Sequence, residues 1–211
     1  IAGDDPSCKS SSLASQSEPM LMHVGMPSLY PSSVQEILDY GLHAYLMSRL
    51  SGLWIGMKVV TTLADSTGTA EIDLARLNFV TPDLEFDGKA FTPHMNLGMN
   101  VRVEALEMEQ SLYTRRLEVA KRYAAANKLN NVVFENPDAW LGIITAGKTY
   151  NDLRQCFLEL GLDDAALRRY GIRILKMGML FPMEPQIVRD FARGLEEIFV
   201  IEEKRPFLEM F

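Results

Sequence analysis

Trp140-Leu141-Gly142-Ile143-Ile144-Thr145-Ala146-Gly147-Lys148 decides the fold of this chain. Its first six residues are an apolar run of strand length. Ala146-Gly147-Lys148 turns it into a helix with Tyr150, Leu153, Phe157 and Leu160 on one face, stopped by Gly161. A short helical piece over Asp164 to Arg169 leads to a second strand, Ile172 to Met177. Pro185 then opens a helix carrying Ile187, Val188, Phe191 and Leu195, and Ile198-Phe199-Val200-Ile201 is a third strand. Strand–helix–strand–helix–strand at this spacing predicts right-handed crossovers and a parallel sheet. Ligands and partners of such sheets gather at the strands' carboxyl ends, here Thr145 to Lys148, Met177-Gly178 and Glu202 to Lys204.

Working outward, Pro31-Ser32-Ser33 opens a second helix. Ser32 or Ser33 can cap it with Gln35 or Glu36 three residues on, and Val34, Ile37, Leu38, Leu42, Tyr45 and Leu46 follow the helical period. Gly52 ends it, and Trp54 to Thr62 reads as a buried strand. Gly3 to Thr62 is thus expected to be the closing loop–helix–strand portion of an α/β domain. Leu63 to Asn100 is rich in breakers (Gly68, Pro82, Gly88, Pro93, Gly98), with a short strand conceivable at Leu77 to Val80, and reads as an interdomain connection lying on a surface. Val101 to Asn127 is expected to be one long helix, with Val103, Leu106, Tyr113, Leu117, Ala120 and Ala124 on one stripe and Glu118 paired with Arg122. The division expected is 1–62, 63–130 and 131–211.

A net charge of −7, from 21 basic and 28 acidic residues, gives no electrostatic reason to expect nucleic acid or an anionic membrane. No apolar run approaches the roughly 20 residues that span a bilayer. Two cysteines, Cys8 and Cys156, cannot build a disulfide framework or a four-thiolate cluster, so a reducing cytoplasm is the expected compartment. Ile1-Ala2-Gly3-Asp4-Asp5 looks like the tail of a strand and its loop, as in a piece of a longer polypeptide.

The serine-rich stretch Gly3 to Pro19 has two readings: a disordered terminus, or a loop at a strand end whose hydroxyl, amide and carboxylate groups face a ligand. Glu202-Glu203-Lys204-Arg205 likewise reads either as a set of interdomain ion pairs or as a solvated charge run. Gly142 to Thr149 satisfies the P-loop expression G-x-x-x-x-G-K-S/T. Ile143 and Ile144 occupy the positions where a flexible loop is needed, so the match is read as accidental. His23, His43 and His94 have no neighbours at metal-ligand spacing, and no metal site is expected. Cys156 is expected in the core and Cys8 at the surface, with no histidine near it in sequence to activate the thiol.

Several of these segments together resemble the indolepyruvate ferredoxin oxidoreductases. They are Gly3-Asp4-Asp5-Pro6-Ser7-Cys8-Lys9-Ser10-Ser11 with Ser15-Gln16-Ser17-Glu18, Pro31 to Glu36, Thr145-Ala146-Gly147 and Val200-Ile201-Glu202-Glu203-Lys204-Arg205-Pro206. The resemblance covers most of the chain and is weakest between Thr62 and Asn100. It implies part of an enzyme dependent on thiamine diphosphate and magnesium that decarboxylates an arylpyruvate, passes electrons through iron–sulfur clusters to ferredoxin and forms an acyl-CoA. The implied fold is α/β: the remnant of a pyrimidine-binding-type domain (1–62), then a parallel-sheet domain like the C-terminal domain of transketolases (131–211). Asp5, Ser7, Ser11, Ser15, Gln16, Ser17 and Glu18 would form a loop near substrate and cofactor. Glu202, Glu203, Lys204 and Arg205 would contact another domain or partner. The sequence has no Gly-Asp-Gly motif for diphosphate and magnesium and no cysteine cluster, so this piece alone is expected to bind no cofactor and to be inactive. Its partners would be the remaining domains, ferredoxin, the 2-oxoacid, CoA and a second copy, since a lobe lacking its early strands leaves apolar surface uncovered. Two readings from other classes stand beside this one: a non-catalytic α/β interaction module, and a nucleotide-binding enzyme using Lys148 and Thr149.

Overall fold

A computed structural model describes residues 1–93 and 101–211. His94 and the breaker Gly98 lie outside the described residues. In chain order the strands are β1 (Ala2–Asp4), β2 (Ser28–Leu29), β3 (Gly56–Val60), β4 (Glu85–Phe86), β5 (Lys89–Ala90), β6 (Asn130–Phe134), β7 (Leu141–Ala146), β8 (Ile172–Met177), β9 (Met179–Phe181) and β10 (Glu197–Ile201). The helices are α1 (Glu18–His23), α2 (Val34–Ser51), α3 (Thr61–Ala64), α4 (Val101–Ser111), α5 (Leu117–Ala126), α6 (Gly147–Glu159), α7 (Asp164–Arg169) and α8 (Pro185–Ala192).

Two four-stranded sheets organise the molecule, one ordered β1-β3-β2-β9 and the other β10-β7-β8-β6. In the second, β10, β7 and β8 run parallel, with Leu141 opposite both Glu197 and Ile172. The antiparallel edge strand β6 is an addition that the sequence pattern did not announce. The first sheet is parallel through β1, β3 and β2, and its fourth strand, β9, comes from the C-terminal part of the chain and runs antiparallel. Only Gly178 separates β8 in one sheet from β9 in the other. Its amide and that of Met179 both donate to Asn130 Oδ1 at 2.9 Å, and its carbonyl accepts from Tyr30 N at 2.9 Å.

Side chains alternate across the second sheet with period two. Ile143 and Ile174 face Leu153 and Phe157 of α6 and Leu167 of α7. Ile144 and Leu175 face the opposite way, into a cluster shared with Phe191 of α8, with Tyr30 just past β2 and with Val60 of β3. One continuous core therefore runs between the sheets. A third cluster packs α2 and α5 together over β2, β3 and β9. In α2, Ser33 is the cap, its Oγ accepting from Glu36 N at 3.2 Å, and Gly52 closes the helix at φ 71°.

Several expectations need correction. The face of α2 that is buried is Tyr40, His43, Met47 and Ser51, whereas Leu38 and Tyr45 are exposed. The buried face is admissible because its polar atoms are satisfied: His43 Nδ1 lies 2.9 Å from Tyr123 Oη, and Ser51 Oγ donates to Met47 O at 2.6 Å. Leu77 to Val80 is not a strand, because both backbone polar groups of Val80 pair at 2.8 Å with the Asn127 side-chain amide. The long helix is interrupted by a wide π turn over Leu112–Arg116. The extra residue shifts the helical phase, so Val103, Leu106 and Tyr113 face solvent while Leu117, Ala120 and Ala124 join the core with α2. Trp54 is exposed ahead of β3, Cys156 lies on the exposed side of α6, and Leu160 is exposed just past its end.

The crossing at Gly178 has no room for a side chain. A Cβ there would stand 2.3 Å from the Leu129 carbonyl oxygen and 2.4 Å from Tyr40 Oη. The first is backbone and cannot rotate away. Gly178→Ala is expected to cost about 1–3 kcal/mol, seen as a lower urea midpoint with an unchanged slope. An unaltered midpoint would show that the two sheets yield freely at this point.

Candidate functional site

The carboxyl ends of β1, β3, β7 and β10 converge on one region. The chain leaves β1 at Asp4 and enters the loop up to Glu18, which is ordered by its own carboxylates. Asp5 accepts from the amides of Lys9, Ser10 and Ser11 at 2.8, 2.7 and 2.8 Å, and its own amide donates to Ser15 Oγ at 2.7 Å. These amide donors, Ser10 foremost, outweigh desolvation and hold the Asp5 carboxyl down at about 2. Asp4 accepts from Ser17, through its amide at 2.9 Å and its hydroxyl at 2.5 Å.

At the centre lies Lys58 of β3, whose side chain is 3% exposed. Its Nζ donates to Glu18 Oε1 at 2.6 Å and to Glu203 Oε2 at 3.0 Å, with Asp4 Oδ2 at 4.0 Å and the Tyr30 ring 4.4 Å away. Burial alone would depress the ammonium, but attraction from Glu18 and Glu203 wins and its pKa lies above the ordinary lysine value. Tyr30 donates to Glu203 Oε1 at 2.5 Å, and burial together with that carboxylate raises its phenol pKa. Beyond β10, Glu202 accepts from the amides of Phe207 and Leu208 at 3.0 and 2.8 Å. The loop is also tied directly to this segment: Gln16 Nε2 donates to Arg205 O at 3.2 Å, and Lys204 Nζ donates to Ala14 O.

The loop residues Asp5, Ser15, Gln16, Ser17 and Glu18 and the segment 202–205 are therefore brought together. Ser7 and Ser11 stay at the outer surface, and so do the side chains of Lys204 and Arg205. Around the cluster the space is tight, about 20 Å³, enough for a water. A larger depression of about 210 Å³ opens beside it between Asp5, Ser7, Thr61 and Lys148. Lys58 and Tyr30 were not singled out from the sequence. The available signal was a lysine in the middle of a strand read as buried, a position that demands a carboxylate partner.

The P-loop expression is strand through Ala146. Gly142 lies under Leu195 and Phe191, Lys148 pairs with Asp152, and Thr149 Oγ1 donates to Ala146 O at 2.6 Å. Gly147 is required by close approach: φ is 47° and a Cβ would meet the Tyr30 ring at 2.3 Å. No group of three or more potential ligands for a metal exists among the described residues. Glu18 Oε2 and Gln16 Oε1 are buried without a partner, so what the cluster still offers is acceptors, which suit a hydrogen-bond donor and repel a diphosphate. The two cysteines, both exposed, cannot furnish the four thiolates of an iron–sulfur cluster.

Residues 130–211 match the profile of a family described as the indolepyruvate ferredoxin oxidoreductase middle domain. Over 209 residues the chain is 28% identical to the indolepyruvate oxidoreductase subunit IorA of Methanothermobacter marburgensis, covering 99% of this chain and 31% of that protein. Against the subunit of the same name in Archaeoglobus fulgidus it is 25% identical over 210 residues, covering 100% and 31%. The chain thus spans about a third of the length of these relatives. Among solved structures, a 2-oxoglutarate:ferredoxin oxidoreductase from Magnetococcus marinus, with 2-oxoglutarate, coenzyme A and succinyl-CoA bound, superposes with a TM-score of 0.53 at 15% identity, over 83% of this chain and 34% of that one. That likeness concerns the fold.

The Asp5 bonds set the acid response of the loop. A carboxyl held below its ordinary value of 3.8 contributes stability that is full above that value and is lost as pH falls through about 2. The amides of Lys9, Ser10 and Ser11 are expected to stay slow to exchange at pH 4 and to open on approach to pH 2. Opening near pH 4, followed by NMR, would show that these bonds do not hold the loop.

Proposed function

Because the chain belongs to the indolepyruvate ferredoxin oxidoreductase family, we propose that it forms part of an enzyme that oxidatively decarboxylates an arylpyruvate to an acyl-CoA and passes the electrons to ferredoxin. Within it, 1–62 serves as the pyrimidine-binding-type portion, 63–130 as the connection and 131–211 as the transketolase C-terminal-like domain. Thiamine diphosphate with magnesium, and the iron–sulfur clusters, would be anchored by residues elsewhere in the complete enzyme, since the donor set here fits neither. This chain's share is the loop Asp5 to Glu18, which orients the 2-oxoacid over the strand ends. The observation that carries this reading is the position of that loop: ordered by its own hydrogen bonds, where the carboxyl ends of the parallel strands of both sheets meet. No helix among the described residues is long and apolar enough to cross a membrane, and two free thiols suit a reducing cytoplasm. Exposed Leu38, Tyr45, Trp54 and Ile72 suit burial against a second copy or the enzyme's other domains.

The test is dye reduction by the complete enzyme, dependent on CoA, with indolepyruvate, pyruvate and 2-oxoglutarate compared. The arylpyruvate is expected to give the highest kcat/KM. Gln16→Ala should lower it about fivefold, the worth of one hydrogen bond, with the fold intact by circular dichroism. Failure of every 2-oxoacid to drive reduction removes the assignment, and an unchanged kcat/KM in Gln16→Ala removes the loop from the substrate's surroundings. Self-association of this chain should be evident by sedimentation at tens of micromolar, and a clean monomer there would contradict it.

A further inference from the structure

We infer that Lys58 is a positioning residue that fixes the loop Asp5 to Glu18 over the strand ends through Glu18, and references it to the second sheet through Glu203. Three observations carry this. Glu18 is the residue at which the loop becomes α1, so a bond there sets where the whole loop ends. Its neighbour Ser17 is held twice by Asp4, whose carboxylate lies 4.0 Å from the same ammonium, so adjacent loop residues are anchored on one centre. Lys58 also holds Glu203, whose other carboxylate oxygen accepts from Tyr30 Oη. The lysine thereby links α1 to the end of β10, and at 3% exposure it is shielded from bulk solvent.

Neutralising buried carboxylates would be a sufficient role for a structural lysine, and the molecule contains one for comparison. Lys176 of β8 donates to Ser32 Oγ at 2.7 Å and pairs with Glu36, tying the second sheet to the start of α2 with no bond to the loop. If Lys58 only held the lobes together, removing either lysine would loosen the loop equally.

The experiment uses the complete enzyme carrying Lys58→Met, Lys58→Arg, Glu203→Gln or Lys176→Met. Hydrogen exchange is read over peptides 5–18, 202–208 and 141–146. Lys58→Met is expected to accelerate exchange about tenfold or more in 5–18 and 202–208, leaving 141–146 protected. Lys58→Arg should restore most of that protection. Glu203→Gln, which retains hydrogen-bonding shape, should still accelerate 5–18 although Glu203 belongs to the segment after β10 and reaches the loop through Lys58. It serves as the test should Lys58→Met fail to fold. Lys176→Met should leave 5–18 unchanged. An undisturbed loop in folded Lys58→Met or in Glu203→Gln overturns the inference, as does equal acceleration by Lys176→Met.

The kinetic consequence rests on the proposed function and is read separately. Lys58→Met should raise KM for the 2-oxoacid about fivefold with kcat within about twofold. Altered exchange with unaltered kinetics would uphold the positioning role and refute the loop's contact with substrate.

Discussion

Each sheet lends the other one buried ammonium, and the relative placement of the two halves depends on that exchange. Lys58 leaves the first sheet to meet Glu203 after the second, and Lys176 leaves the second to meet Ser32 before α2 and Glu36 in its first turn. A charge moved out of water carries a large desolvation cost, which only a well-placed counter-charge offsets. Each lysine therefore tolerates few relative positions of the halves. Apolar side chains in the shared cluster around Tyr30, Val60, Ile144 and Leu175 supply most of the attraction but little of this discrimination.

The covalent path reinforces the electrostatic one. Passing from β8 to β9 across a single glycine joins the middle of one sheet to the edge of the other, and Asn130 accepts from both amides of the crossing. β6, which contributes Asn130 at its first residue, is thus needed for the junction as well as for its own sheet.

Much of the second sheet was legible in the sequence, because its strands are apolar runs bounded by glycine and its helices have strong signals. Asp164–Arg169 and Ile172–Met177 fall where the pattern put them. The first half was harder. On α2, two faces compete: Leu38, Leu42 and Tyr45 look like the core by hydrophobicity, yet the buried face contains His43 and Ser51, whose hydrogen bonds are supplied by α5 and by the helix itself. No local pattern reports a partner eighty positions away. The strand-like stretch at Leu77 to Val80 misled for a related reason, since Asn127 supplies by side chain what a neighbouring strand would supply by backbone. At the site, the loop and the Glu202–Arg205 segment could be nominated separately. The buried centre that holds Glu18 and Glu203 together, Lys58, sat unremarked inside a buried strand.

The carboxylate of Asp5 has one more implication. Lys9, Ser10 and Ser11 present consecutive N–H groups to a single point, an arrangement that in other proteins forms a concave nest for anions. Here the nest is filled from within the chain, by a carboxylate that stays ionised down to about pH 2. The loop carries its own resident anion. Free phosphate or a substrate carboxylate would have to displace a covalently tethered competitor at very high local concentration. Any recognition by this loop would therefore run through its side chains and leave those three amides out.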